Sequence, residues 1–444
     1  MNKKFYEPFF KGKKMTVMGL GVLGRGIQVT AFLAECGADL TVTDLKSEEK
    51  LKNSIKALKK YGNIRYVLGR HELVDFQSAD MVIKSAGVPL DSAYIAEAKK
   101  NRIDIAMDAS LFARIARNVR LVGVTGTRGK SMTTAIIYHI LKSNEKKLGC
   151  NVYIGGNMRL KATLPLLKKV KDGDVVVLEL DSWQCQGFRD EKFSPEIAVF
   201  TSFMPDHMNY YKDDMKKYLA DKQNIFLYQN KYGVLVANKN LKIPTVYKGK
   251  VKLGDIKDVE TIPMHIIGKH NLENASYACK VGEYFGLDNK SIKKSLSSFK
   301  GLEGRLEYVG KKKGLHVIND NNATTPEATL AGVEAVLGAY PKSKIILIAG
   351  GADKKLVLKS FCKAAGKCKI SIFLKGSGTD RLKTEFPNIA KMEVSSLKEA
   401  ISKAISFANK NDVILFSPGF ASFGMFKHEY DRNDQFLDIV KKLK

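Results

Sequence analysis

The chain has 444 residues, 44% apolar and 27% charged, a composition that excludes disorder and leaves room for about two to four domains of ~100–200 residues. Its 74 Lys+Arg against 46 Asp+Glu give +28, but these are spread as single lysines and short clusters such as 311–313. They are not interleaved with aromatics as in an RNA-stacking surface, so they read as solvated faces that favour anionic ligands, with nucleic acid set aside. No apolar run reaches the ~18 residues of a bilayer span, and the six cysteines show neither C-x-x-C nor zinc spacing, so the expectation is a cytosolic chain with reduced, structural thiols and no membrane insertion.

Residues 15–18 read as a first strand entering Gly19-Leu20-Gly21-Val22-Leu23-Gly24. A helix with apolar positions 27, 31, 32 and 33 follows, then a strand ending at Asp44. A G-x-G-x-x-G between strand and helix, with an acid ~20 residues on, is the pattern of a dinucleotide-type fold. "ADMVIKSAGVP" gives another strand and turn, and "IDIAMDASLFARIA" leads out of a first domain that ends near residue 114.

A second alternation starts with a strand at 119–124, the stretch "TGTRGKS" and a helix at 131–142. It continues with strands at 174–180 and 196–202, a helix at 213–229 and the strand in "GVLVAN". "FKGLEGRLEYVG" reads as a hinge into a third unit, which repeats the alternation through "GLHVIND", "KIILIAGG", "ISIFLKG" and "DVILFSPG". Strands alternating with helices throughout predict parallel sheets. The expected fold is α/β with three domains in series: Rossmann-like over 1–114, P-loop ATPase-like over 115–302, and Rossmann-like again over 303–444.

The stretch 124–131 falls one glycine short of a Walker A loop, because Val124 stands where the first glycine belongs. Phosphate binding needs backbone N–H groups aimed at the anion, with a helix N-terminus behind them and a lysine alongside. Gly126 and Gly129 free the turn, Lys130 can neutralise phosphate, and Ser131 can ligate Mg²⁺ at the helix start. Mg²⁺ wants further hard donors. Glu179 ends the next strand, at the edge where parallel sheets place ligands, and His207 lies beyond the strand after that. Each alone has an ordinary structural alternative, a surface acid or a hydrogen-bonding histidine; together they stand at successive strand ends.

"GVTGTRGKS", "LELDSWQ", "PDHMNYY", "YLADKQNIF", "GKHNLENA", "GLEGRLE", "INDNNATTPEAT", "GGADKK" and "SPGFASFGMFKHEYDRNDQF" occur in this order across nearly the whole chain. The set resembles the ATP-dependent Mur ligases, whose own phosphate loop is the short T-G-T-x-G-K-S form. Within that family the first domain and the "SPGFAS" tail are similar to the branch that adds D-glutamate to UDP-N-acetylmuramoyl-L-alanine. The resemblance implies phosphorylation of the substrate carboxylate by ATP, then attack of the amino acid's amine on the acyl phosphate.

The resemblance also implies roles for particular residues. Gly126, Thr127, Arg128, Gly129, Lys130 and Ser131 would hold the ATP phosphates, with Asn271, Asn274, Arg305 and Asp320 taking the rest of the nucleotide. Ser131, Glu179 and His207 would hold two Mg²⁺ ions together with Lys222, the lysine that the family N-carbamylates to turn a repelling cation into an anionic oxygen ligand. The glycine turn with Val22 and Leu23, then Asp44, Lys46 and Gly87, would take the UDP, and Asn157 and Gln184 the muramoyl-alanyl arm. Thr324, Lys354 and Ser422 would take D-glutamate.

Three departures stand out from the family pattern: Asn322 where a lysine is common, Asp181 where a serine is, and Glu429 where an aromatic often lies, followed by Arg432-Asn433 in place of Arg-Gly. The first and third leave open a ligase that adds L-glutamate or alanine. A basic P-loop ATPase that binds nucleic acid is the alternative from another class. The expected state is a cytosolic monomer.

Overall fold

The structure, a computed structural model, describes residues 1–89, 91–159, 161–389 and 392–443. The described residues form three sheets. The first contains β1 (Lys14–Met18), β2 (Asp39–Asp44), β3 (Ile64–Leu68), β4 (Met81–Lys84) and β5 (Asp104–Ala106), in the order β3-β2-β1-β4-β5. The second contains β6 (Arg120–Thr125), β7 (Val152–Gly156), β8 (Val175–Glu179), β9 (Ile197–Phe200), β10 (Val234–Ala237) and β11 (Lys250–Leu253), in the order β11-β10-β9-β6-β8-β7. Every pairing in these two sheets is parallel, as the alternation of strands and helices predicts.

The third sheet is mixed, and here the expectation of parallel sheets throughout is corrected. It contains β12 (Glu307–Lys312), β13 (Leu315–Asn319), β14 (Ile345–Gly350), β15 (Ile370–Leu374), β16 (Glu393–Val394) and β17 (Val413–Phe416), in the order β12-β13-β17-β14-β15-β16. β12 pairs antiparallel with β13. Only Lys313 and Gly314 separate them, both at positive φ, and two such residues make the tight turn that an antiparallel hairpin needs. The segment read as a hinge is therefore partly an edge strand. The helix predicted over 213–229 is shorter, Met215–Gln223, and the chain breaks into turns after it.

The described chain divides into two compact units, Met1–Asp258 with Asn274–Ile292 and Val259–Glu273 with Lys293–Lys444. The first unit carries both parallel sheets, and one apolar core runs from Val17, Phe32 and Leu33 through Phe112 and Leu164 to Leu178 and Phe200. The second unit packs apolar residues on both faces of the mixed sheet, Leu347, Phe361 and Phe373 on one side and Ile346, Ile348 and Phe436 on the other. Strands buried on both faces read as continuous apolar runs, which is why the strands "VVVLE" and "IILIAG" lack alternation. All six cysteines are unpaired.

The first glycine turn is fixed by close approach. A Cβ on Gly26, in the first turn of the helix Arg25–Glu35, would stand 2.1 Å from the carbonyl oxygen of Leu20. Gly26 is thus held by space, whereas Gly19, Gly21 and Gly24 of the motif stand at positive φ. Gly26→Ala is expected to destabilise the first unit by about 1–3 kcal/mol through overpacking against backbone, read as a lower urea midpoint at unchanged m-value.

Candidate active site

The phosphate loop leaves β6 at its carboxyl end and enters the helix Lys130–Lys142. Glu179 ends β8, in register with Val124 of β6, and Leu180 N–H donates to Val124 O at 2.8 Å, so the carboxylate stands at the same sheet edge as the loop. On the other side of β6 the segment after β9 holds the loop in place. Thr127 N–H donates to Ser202 O (2.8 Å), Arg128 N–H to Ser202 Oγ (2.8 Å), and the Thr201 hydroxyl to Arg128 O (2.5 Å). Arg128 pairs with Asp206 at 2.8 Å. Asp206 lies in the stretch "PDHMNYY", whereas Thr201 and Ser202 carry no motif, and only their position after β9 would have marked them in the sequence.

Both loop glycines are required by space and by backbone conformation. A Cβ on Gly126 (φ +144°) would lie 2.1 Å from Thr201 Oγ1, and one on Gly129 (φ +86°) would lie 2.4 Å from Asn274 Oδ1. Asn274 thus reaches the loop from the helix Lys269–Tyr284 and accepts a hydrogen bond from the Thr133 hydroxyl at 3.1 Å. Asn271, one turn earlier on that helix, donates its side-chain amide to Ile267 O at 2.8 Å.

Two lysines converge on one carbonyl. Lys130 Nζ donates to Gly126 O (3.0 Å) and Thr127 O (3.1 Å), and Lys222 Nζ donates to the same Gly126 O at 2.9 Å. Lys222 is buried, and burial followed by repulsion from Lys130 pulls its pKa down to about 7. The solvated lysine that an amphipathic helix would suggest is therefore ruled out. His207 sits at φ +56°, a strained backbone for a non-glycine residue, with its ring 4.7 Å from that of Trp183. Burial holds the imidazole below its ordinary value, which favours the neutral, ligating form.

Among the described residues no three His, Cys, Asp or Glu side chains gather closely enough to hold a metal by themselves. The donors at this edge are one carboxylate (Glu179), one hydroxyl (Ser131) and one imidazole (His207), with the half-neutral Lys222 amine beside them. Such a set fits Mg²⁺ that takes most of its oxygens from nucleotide phosphates, water and a carbamate on Lys222.

At the edge of the first sheet, Asp44 is buried and already engaged. Its Oδ2 accepts from Gly21 N–H (2.8 Å) and its Oδ1 from Lys46 N–H (2.9 Å), while Lys46 Nζ stands 3.8 Å away. It braces the glycine turn, leaving Val22 and Leu23 exposed at its tip. Gly87 is exposed on the turn after β4. Asn157 N–H donates to Glu179 O at 2.7 Å, linking the end of β7 to the phosphate-loop edge. Gln184 is drawn into a reciprocal cap, its N–H donating to Asp181 Oδ1 (2.7 Å) and its Oε1 accepting from Asp181 N–H (3.1 Å). The departure at Asp181 is thereby explained, since aspartate caps a helix as well as serine does.

In the second unit Thr324, Lys354 and Ser422 line one cavity of ≈ 290 Å³, together with Arg305, Asn322, Glu429 and Tyr430. Lys354 Nζ donates to Thr324 Oγ1 at 2.9 Å. Asp320 lies inside the unit rather than on its surface. It accepts from Leu306 N–H (3.2 Å) and the Ser417 hydroxyl (2.9 Å), and burial pushes its pKa up to about 7.

Behind the cavity the fully buried Arg432 donates to Asn321 Oδ1 (2.8 Å), Asn321 O (2.9 Å) and Phe420 O (3.2 Å), clamping the two loops that form the walls. Asn433, where glycine is common, is also buried; it donates to Glu303 (2.7 Å) and accepts from Asn319 (2.8 Å). Asn322 and Glu429 do face the cavity, so those two departures bear on what it holds.

Comparison with known proteins fits this arrangement. Residues 13–107 match the model of the "Mur ligase MurD-like, N-terminal domain", 124–256 that of the "Mur ligase middle domain", and 304–420 that of the "Mur ligase, glutamate ligase domain". The chain belongs to the Mur ligase family. It is 34% identical over 459 residues to a UDP-N-acetylmuramoylalanine--D-glutamate ligase of Borreliella burgdorferi (strain ZS7), covering 98% of both chains. It is 33% identical over 473 residues to the ligase of that name from Alkaliphilus metalliredigens (strain QYMF), covering 98% and 99%. The fold is shared with the alanine ligase MurC of Thermotoga maritima (TM-score 0.59, 19% identity, 97% and 99% covered). It is shared also with the MurF ligase of T. maritima solved with ADP (TM-score 0.57, 15% identity, 99% and 96% covered).

The phosphate loop generates a direct test. Gly126→Ala is expected to weaken ATP-analogue binding about tenfold or more, since the strain it adds is worth about 1–3 kcal/mol. Isothermal titration should show this while the far-UV circular dichroism spectrum is unchanged.

Proposed function

We propose that this chain is the ATP-dependent ligase that adds D-glutamate to UDP-N-acetylmuramoyl-L-alanine in the cytoplasm, during synthesis of the peptidoglycan precursor. Two observations carry the proposal, one in each unit: a loop at the end of β6 on which Lys130 and Lys222 converge, and a cavity lined by Thr324, Lys354 and Ser422. We assign three working parts: 1–114 for the UDP end, 115–302 for ATP and 303–444 for the amino acid.

Two anions must meet before the first bond forms. Lys130 and the loop N–H groups offset the charge of the γ-phosphate as it moves from ATP to the substrate carboxylate oxygen and ADP departs. Mg²⁺ held by Ser131, Glu179, His207 and carbamylated Lys222 would supply further positive charge at the phosphates. The amine of D-glutamate then attacks the carbonyl carbon. The C–N bond forms, the bond to the phosphate oxygen breaks, phosphate leaves and the amine gives up a proton. Thr324, Lys354 and Ser422 hold the carboxylates of the incoming amino acid so that its amine is the end presented. Asn271, Asn274 and Arg305 are assigned to the nucleotide beyond its phosphates, while Asp320, enclosed in the second unit and engaged by Leu306 N–H and the Ser417 hydroxyl, is left to a supporting role.

Lys354 favours a dicarboxylate over alanine, and Glu429 tempers that preference in comparison with an all-cationic pocket. An amino-acid panel with UDP-N-acetylmuramoyl-L-alanine and ATP, read by phosphate release and product mass, should give a kcat/KM for D-glutamate at least about 100-fold above those for L-glutamate and alanine. Equal values would remove the D-glutamate assignment and leave the fold untouched.

The low pKa of Lys222 gives a second expectation. Carbamylation needs the neutral amine, which predominates above about pH 7. Enzyme depleted of bicarbonate should lose activity and recover it with added bicarbonate. At equal dissolved CO2 the carbamate signal in ¹³C NMR should be stronger at about pH 8 than at about pH 6, where the ammonium dominates.

A further inference from the structure

Lys84, the last residue of β4, is 2% exposed, an unusual place for an ammonium. Its Nζ forms no ion pair among the described residues. It donates instead to two carbonyls of the turn that follows, Val88 O at 2.6 Å and Ser85 O at 3.4 Å. The charged groups facing it are Asp181 and Asp190 at the ends of the helix Ser182–Asp190, Asp221 in the helix Met215–Gln223, and Lys99 in the helix Ala93–Lys100. Burial outweighs the three carboxylates and lowers the ammonium to about 8. A buried charge without a direct counterion is costly to keep. It calls for a reason beyond packing.

The turn supplies one. Ser85 and Val88 use their N–H groups within the protein, donating to Met18 O (3.0 Å) and Ser85 O (3.1 Å). The Ser85 hydroxyl donates to Gly19 O at 2.6 Å, tying this turn to the first glycine turn. The N–H groups of Ala86 and Gly87 donate to no protein group among the described residues. Gly87 is exposed, with nothing within 4 Å of the point where a Cβ would stand. Successive backbone N–H groups in a turn, left without a protein acceptor, can form an anion-binding nest. This turn lies beside the glycine turn that leads into the helix Arg25–Glu35.

We infer that Lys84 is the positioning residue of the diphosphate subsite: it holds the Ser85–Val88 turn with the Ala86 and Gly87 N–H groups outward, and places a positive charge beneath them for the diphosphate of the UDP substrate. The inference rests on the proposed function, in which residues 1–114 take the UDP end of the substrate, and it sets the diphosphate between Gly19–Gly24 and Gly87. An arriving anion supplies the charge that Lys84 lacks at short range, so binding favours the protonated ammonium. The sign of the pH effect follows: binding costs nothing extra below the free pKa of Lys84 and requires proton uptake above it.

The test is isothermal titration of the full chain with UDP from about pH 6.5 to about pH 9, on wild type, Lys84→Met and Lys84→Arg. Wild type is expected to hold its affinity to about pH 7.5 and lose it progressively through about pH 8. Lys84→Met should bind about tenfold or more weakly, with no pH step. Lys84→Arg, charged throughout, should keep most of the affinity and also lack the step. KM for ATP and for D-glutamate should be unchanged in both variants. Equal UDP affinity in wild type and Lys84→Met overturns the inference and leaves the ligase reading standing. Failure of the wild type itself to bind UDP overturns both. A Lys84→Met loss shared equally by all three substrates and by the melting temperature marks a general scaffold lysine, and likewise overturns the inference.

Discussion

The carbonyl of Gly126 is the point on which the active site turns. It accepts from Lys130 at 3.0 Å and Lys222 at 2.9 Å, so two lysine side chains share one oxygen at the mouth of a parallel sheet. Such crowding of like charge is unfavourable without an anion and favourable with one. The same crowding, added to burial, brings the Lys222 amine down to about 7, into the range where it can react with CO2. Thr201 and Ser202 hold carbonyl and amide groups of the loop, and together with Asn274 they leave its two glycines no room for a side chain.

The second unit solves a different problem by similar means. Its cavity walls come from two loops far apart in sequence, 320–325 and 418–430, and a single fully buried guanidinium binds carbonyls from both. Burial lowers Arg432 to about 10, which still leaves it charged at neutral pH. Asn321 and Asn433 supply the remaining polar partners, so a departure from Arg-Gly becomes a buried hydrogen bond and not a gap. In the first unit, Asp44 and Lys84 likewise act on backbone, one drawing an N–H inward and the other drawing carbonyls inward.

Much of the site was legible because its motifs sit where a strand meets a helix. The loop at 126–131 and Glu179 fall at the ends of β6 and β8, and His207 lies in the segment that follows β9, where parallel sheets bring successive carboxyl ends to one edge. Thr324, Lys354 and Ser422 were placed through family resemblance, and they do meet around one cavity. The antiparallel β12 was not legible, because "GLEGRLEYVGKKKG" shows hinge glycines as readily as a hairpin. Nor was the clamp of Thr201 and Ser202, since two hydroxyl residues after a strand carry no pattern.

Periodicity, glycine spacing and the order of motifs, all local in the chain, determined the α/β class, the strand–loop–helix at 120–142 and membership of the Mur ligase family. What only the tertiary structure decided were the burial of Lys84, Lys222 and Arg432, the engagement of Asp44 and Gln184, and the pairing of β12. The reason is physical. A side chain's charge state and partners depend on which distant segments exclude water from it, and that exclusion exists only once the sheets are packed.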